Sequence, residues 1–172
     1  LWGNSNVTYN QCTMGYTTNS DITAMVYNSP LRNFNNPAVI GYSQSHDEER
    51  TMFKNLLFGN SSGSYNIKNL PTALRQEEAA ASVIFTIPGP KMIWQFGELG
   101  YDISINDPCR VCNKPIKWEY YYEPNRKALY DKWASMIKLK DKLTIFNTAN
   151  FTLDVGAATR LKKIQLTDNS SN

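Results

Sequence analysis

The feature that most constrains this chain is a strand, a long amphipathic helix and a second strand in close succession. Pro37-Ala38-Val39-Ile40-Gly41-Tyr42 is a short apolar run with β-branched residues, and it leads into Ser43-Gln44-Ser45-His46-Asp47. Such a run reads as a buried strand that delivers polar groups at its C-terminal end. Further on, Leu70, Ala73, Leu74, Ala80, Ala81, Ile84 and Phe85 recur at helical spacing. Asn69 stands where a helix cap is favoured, Pro71 suits the first turn, and Pro88-Gly89-Pro90 stops the helix. Lys91-Met92-Ile93-Trp94-Gln95-Phe96 then reads as a second strand, running into Gly97-Glu98-Leu99-Gly100. Strand, helix and strand at this spacing form a βαβ unit, whose strands lie parallel in one sheet. The fold class is therefore α/β.

The remaining segments fit around that unit. Residues 1–36 are rich in Asn, Thr, Ser and Tyr without clean periodicity, and read as loop with a short helix near Asp21–Tyr27. Glu48–Leu57 reads as a helix with Met52, Phe53, Leu56 and Leu57 at helical spacing and acids at its start, where they complement the helix dipole. Residues 101–123 form a long loop with an aromatic cluster, Trp118 to Tyr122. A helix follows from Asn125 to Leu139 with Leu129, Trp133, Met136 and Ile137 inward. Its basic stretch Arg126–Lys142 carries six Lys/Arg against two Asp and reads as a solvated outer face. Leu143–Phe146, Phe151–Val155 and Leu161–Leu166 read as short antiparallel strands.

Composition excludes several classes. With 172 residues, 41% of them hydrophobic, the chain can build a core. Its net charge of +3 is too weak and dispersed for nucleic acid. No apolar run approaches the roughly 20 residues of a membrane span. Leu1-Trp2-Gly3-Asn4 reads like mid-domain sequence, so the expectation is a fragment of a longer chain. Cys109-Arg110-Val111-Cys112 has zinc-like spacing without a second ligand pair, which leaves a local disulfide or free thiols ahead of metal.

Ligands of parallel α/β folds bind outside the C-terminal ends of the strands. Both strands are expected to finish there with a carboxylate, Asp47 and Glu98, and the only histidine, His46, stands beside Asp47. The three could hold substrate hydroxyls or share a proton. The plainer alternative is that they satisfy loop backbone.

At these residues the chain resembles a known family. Tyr42-Ser43-Gln44-Ser45-His46-Asp47-Glu48-Glu49-Arg50 is similar to the fourth conserved region of the alpha-amylase family of glycoside hydrolases, where a His-Asp pair ends barrel strand seven. Ile87 to Asp102, Ile-Pro-Gly-Pro-Lys-Met-Ile-Trp-Gln-Phe-Gly-Glu-Leu-Gly-Tyr-Asp, resembles the strand-eight region. The order and the intervening helix also match. The resemblance implies a partial (β/α)8 barrel, about its last quarter, over residues 1–142, with a C-terminal β-domain beginning at 143–172. It implies an α-glucan or maltooligosaccharide substrate and a retaining mechanism, which needs a nucleophile and an acid/base about 5 Å apart. In the family those two residues end strands four and five, which this chain lacks.

By the same resemblance, Asp47 is the third family carboxylate. It grips sugar hydroxyls and stabilises the transition state, while His46 binds the same sugar and Glu98 gives support. No cofactor or metal is expected in this chain, although calcium is possible in the parent enzyme. Ser45 stands where many family members have Asn, and Ser-His-Asp-Glu resembles the branching enzymes, so hydrolysis and transglycosylation both stay open. A non-catalytic carbohydrate-binding module is the alternative outside enzymes. The isolated piece should need its missing barrel strands, or oligomer contacts, for stability. Its Cys, Asn, Ser and Thr usage suits a secreted, periplasmic or cell-surface setting.

Overall fold

A computed structural model describes residues 1–28, 32–156 and 161–168. Three parallel strands, β1 (Trp2–Asn4), β2 (Ile40–Tyr42) and β3 (Lys91–Met92), form one sheet in that order. Trp2 pairs with Ile40 and Asn4 with Tyr42, while Gly41 pairs with Lys91 and Tyr42 with Met92. The helices are α1 (Asn6–Thr13), α2 (Thr51–Phe58), α3 (Leu70–Thr86) and α4 (Pro124–Lys142). An antiparallel pair, β4 (Phe151–Asp154) and β5 (Lys163–Leu166), closes the described chain.

The core lies between the sheet and the helices. Leu74, Ala81, Ile84 and Phe85 of α3 meet Leu129 and Trp133 of α4, with the Phe85 and Trp133 rings edge to face at 5.4 Å. Full burial of side chains of this size stabilises by roughly 1.5–3 kcal/mol each. The hairpin β4–β5 leans on the same core through Phe151, Leu153 and Ile164.

Several expectations need correction. Residues 1–36 hold more regular structure than expected: β1 adds a third parallel strand and α1 follows it, and a 3-10 turn at Thr23–Met25 lies within the expected helix near Asp21–Tyr27. Helix α1 has little amphipathic signal because hydrogen bonds hold it. Asn6 Nδ2 donates to the Ser43 and Glu49 carbonyls, and Thr13 Oγ1 to Asn55 Oδ1. Helix α2 starts at Thr51, so Glu48 and Glu49 precede it and serve other contacts. Asn69 occupies the cap position of α3, yet its side chain makes no cap bond. Within α4, Arg126 is 3% exposed rather than solvated, and Ile137 faces out at 41%. Thr144–Asn147 is a 3-10 turn, not a strand. Residues 29–31 of the expected loop and 169–172 of the tail lie outside the described residues.

The second strand is two residues long instead of six. Phe96 adopts φ 58°, and the chain turns into a 3-10 helix at Gly97–Leu99, closed by Gly100 at φ 66°. Only glycine takes that left-handed conformation without penalty. A methyl at Gly100 would also strike Leu74 Cδ2 and lie 3.3 Å from Met52 Cγ. Gly100→Ala is therefore expected to lower unfolding free energy in urea by about 1–3 kcal/mol. A change below about 0.5 kcal/mol would contradict this account of the turn.

Candidate functional site

The loop after β2 carries the candidate residues. Ser43, Gln44 and Ser45 are buried, and His46 and Asp47 emerge beyond them with side chains 73% and 67% exposed. A dense polar cradle shapes the loop. The buried Arg50 Nη1 donates to the carbonyls of Ser45 (2.5 Å) and Glu48 (3.2 Å). From β1, Asn4 Nδ2 donates to Glu48 Oε1 at 2.6 Å, and Ser45 Oγ donates to Glu48 Oε2. The Asp47 peptide N–H bonds back to Ser45 Oγ at 3.2 Å. Because these partners fix the backbone on both sides of it, the His46–Asp47 tip is pre-shaped although its side chains face solvent.

At the tip, His46 Nε2 lies 3.2 Å from Asp47 Oδ2. So exposed a pair adds little stability. The imidazole also tilts over Trp94, ring centroids 5.9 Å apart, which ties the end of β2 to the segment after β3. A carboxylate, an imidazole and an indole thus share one open surface. Such a surface offers hydrogen-bond acceptors for hydroxyls and an aromatic edge for apolar ligand faces.

Glu98 is placed otherwise than expected. It sits in the 3-10 turn after β3 rather than at a strand tip. Among the described residues it makes no hydrogen bond or ion pair with His46 or Asp47. Burial pushes its carboxyl pKa above the ordinary value, partly offset by its own peptide N–H. Its turn is held instead by Arg126, whose Nη1 donates to the Leu99 carbonyl at 3.1 Å and also to that of Gly100.

Sequence reasoning missed the supports: Asn4 and Asn6 from the first 36 residues, and the loop that follows Glu98. That loop is anchored by Glu49, which accepts Ser104 Oγ and the Ile105 N–H, both at 2.8 Å. Cys109 and Cys112 form a disulfide, and Cys12 is a free, half-buried thiol. The run Asp47-Glu48-Glu49 was a signal in the sequence that the loop is rich in hydrogen-bond acceptors.

A cavity of about 520 Å³ lies elsewhere, between α1, α3 and residues 161–162, and none of His46, Asp47 or Glu98 lines it. The ionisable and aromatic groups His46, Asp47 and Trp94 meet instead at the strand-end surface. Among the described residues, no group of three His, Cys, Asp or Glu side chains could hold a metal ion. No described helix is long and apolar enough to cross a membrane. Comparison with known proteins finds no matching family model and no matching curated protein.

Proposed function

We propose that this chain forms one wall of an α-glucan-binding site in a glycoside hydrolase of the alpha-amylase type. The observation that carries the reading is the His46–Asp47 tip, set beside Trp94 at one end of a parallel sheet whose strands follow one another in chain order. Ordered parallel strands with helical crossovers suit a segment of a (β/α)8 barrel. Asp47 accepts hydroxyls of the sugar at the cleavage point, and its negative charge favours the oxocarbenium-like transition state. His46 bonds the same sugar, and the Glu98 turn supports the loop from below. The nucleophile and the proton donor that the resemblance assigns to earlier strands have no counterpart among these 172 residues. The chain therefore binds sugar without cleaving it.

Calorimetric titration with maltoheptaose tests the reading. The native chain binds, and Asp47→Ala binds at least about tenfold more weakly, since a lost charged hydrogen bond is worth about 1.5–3 kcal/mol. Equal affinity in the two proteins, or no binding by the native chain, overturns it. So does maltooligosaccharide turnover that survives Asp47→Ala.

A further inference from the structure

The loop 103–116 contains no regular element, yet it is tied down along its length. Its start is fixed on Glu49 by Ser104 and Ile105. Lys114 Nζ gathers the carbonyls of Ile105, Asp107 (3.2 Å) and Cys109 (2.5 Å), and Tyr101 Oη donates to the Pro115 carbonyl at 2.7 Å. The disulfide closes Cys109-Arg110-Val111-Cys112 into a small ring at the exposed crest, where Val111 is 93% exposed. From that ring Arg110 Nη2 reaches across 63 residues of sequence and donates to the Asp47 carbonyl at 2.8 Å. Arg110 is itself solvent-exposed, and among the described residues this is its one hydrogen bond. An exposed arginine has many rotamers to lose, and such a contact persists only where its backbone is already fixed.

We propose that Arg110 is a positioning residue for Asp47, and that the Cys109–Cys112 disulfide holds Arg110 in place. The sugar-binding role of Asp47 rests on the function proposed above; the positioning itself does not. Reduction by an exogenous dithiol breaks the S–S bond and leaves two thiols, taking two electrons and two protons from the reagent, which ends as its own disulfide. The crest then opens, Arg110 leaves, and the Asp47 carbonyl loses its donor.

The test has two arms. In the first, without ligand, NMR follows the Asp47 carbonyl carbon and the backbone relaxation of residues 46–48 in native, Arg110→Ala, Arg110→Lys and Cys109→Ser/Cys112→Ser proteins, oxidised and reduced. Reduction of the native chain shifts the Asp47 carbonyl and raises mobility. Arg110→Ala reproduces that state without reductant and no longer responds to it. Arg110→Lys restores part of the native signal, and the double serine variant matches the reduced chain. An Asp47 carbonyl indifferent to reduction, or an equal response with and without Arg110, overturns the proposal. In the second arm, maltoheptaose affinity falls about three- to tenfold on reduction or in Arg110→Ala, the worth of one hydrogen bond. Positioning intact in the first arm with no sugar bound in the second defeats the sugar reading alone.

Discussion

At pH 8 the Glu77→Gln variant unfolds at a distinctly higher urea concentration than the native chain, whereas at pH 4 the two unfold nearly together. Glu77 is 1% exposed in the middle of α3. Tyr9 Oη donates to its Oε2 at 3.2 Å and Asn55 Nδ2 to its Oε1 at 3.3 Å. Burial pushes its pKa up to about 8, against the lowering influence of those two donors. An unfolded glutamate titrates near 4.3. Between those values the folded chain keeps a proton that the unfolded chain releases, so the folded state binds more protons. Stability is then fullest below the lower value and is lost as pH rises through the higher one, at up to about 1.4 kcal/mol per pH unit. Glutamine has the shape of the neutral acid and cannot ionise, so it removes this slope. Groups common to both proteins cancel in the difference. Curves that run parallel from pH 4 to pH 8 would show that Glu77 is ionised in the fold.

Arg126→Ala should cost about 3–5 kcal/mol of unfolding free energy, the range found when one partner of a buried ionic cluster is removed. The guanidinium lies 3.8 Å from the centre of the Tyr120 ring. Nη2 meets Asp102 Oδ2 and Nε meets Glu123 Oε2, both at 2.8 Å, beside the two carbonyls of the Glu98 turn. Burial is the strongest single influence and works against its charge, but the hydrogen bonds and charges of Asp102, Glu123 and Tyr120 together outweigh it and its pKa is raised. Alanine takes the guanidinium donor away from two carbonyls and two carboxylates. Arg126→Lys should recover less than half of the loss, since an ammonium cannot fork or stack as a guanidinium does. Urea denaturation of the three proteins measures both effects. A loss below about 1 kcal/mol would show that the turn stands without this residue.

The parts of the fold that sequence reveals are those governed by periodicity. The strand–helix–strand order from Pro37 to Phe96 was legible because apolar residues repeat at the helical period between two apolar runs. Glu77 was not, although it falls in phase with Leu74 and Ala81. A carboxyl group inside an apolar stripe is suppressed by any reading that sorts residues into polar and apolar. Strand β1 and helix α1 were lost for a related reason. Their attachment runs through Asn6 and Thr13, and hydrogen bonds to distant partners leave no pattern along the chain. Lys91 is similar: its ammonium folds back on the Gly89 carbonyl at 2.8 Å, and burial together with the charge of Lys140 pushes its pKa down to about 7. Of the candidate site, His46 and Asp47 stand out as residue types in a strand-end run. Arg110, Asn4 and Arg50, which shape their surroundings, become visible only in three dimensions.

The sheet has one further consequence. Among the described residues β1 and β3 each have a strand neighbour on one side only. The far sides of Trp2–Asn4 and Lys91–Met92 are therefore two opposite flanks without a strand partner among the described residues, and on the first the Trp2 carbonyl accepts Arg32 Nη2 instead. These flanks run in the same direction and bracket the His46–Asp47 loop at one end. The C-terminal ends of all three strands therefore lie at the end of the sheet from which the His46–Asp47 loop leaves β2.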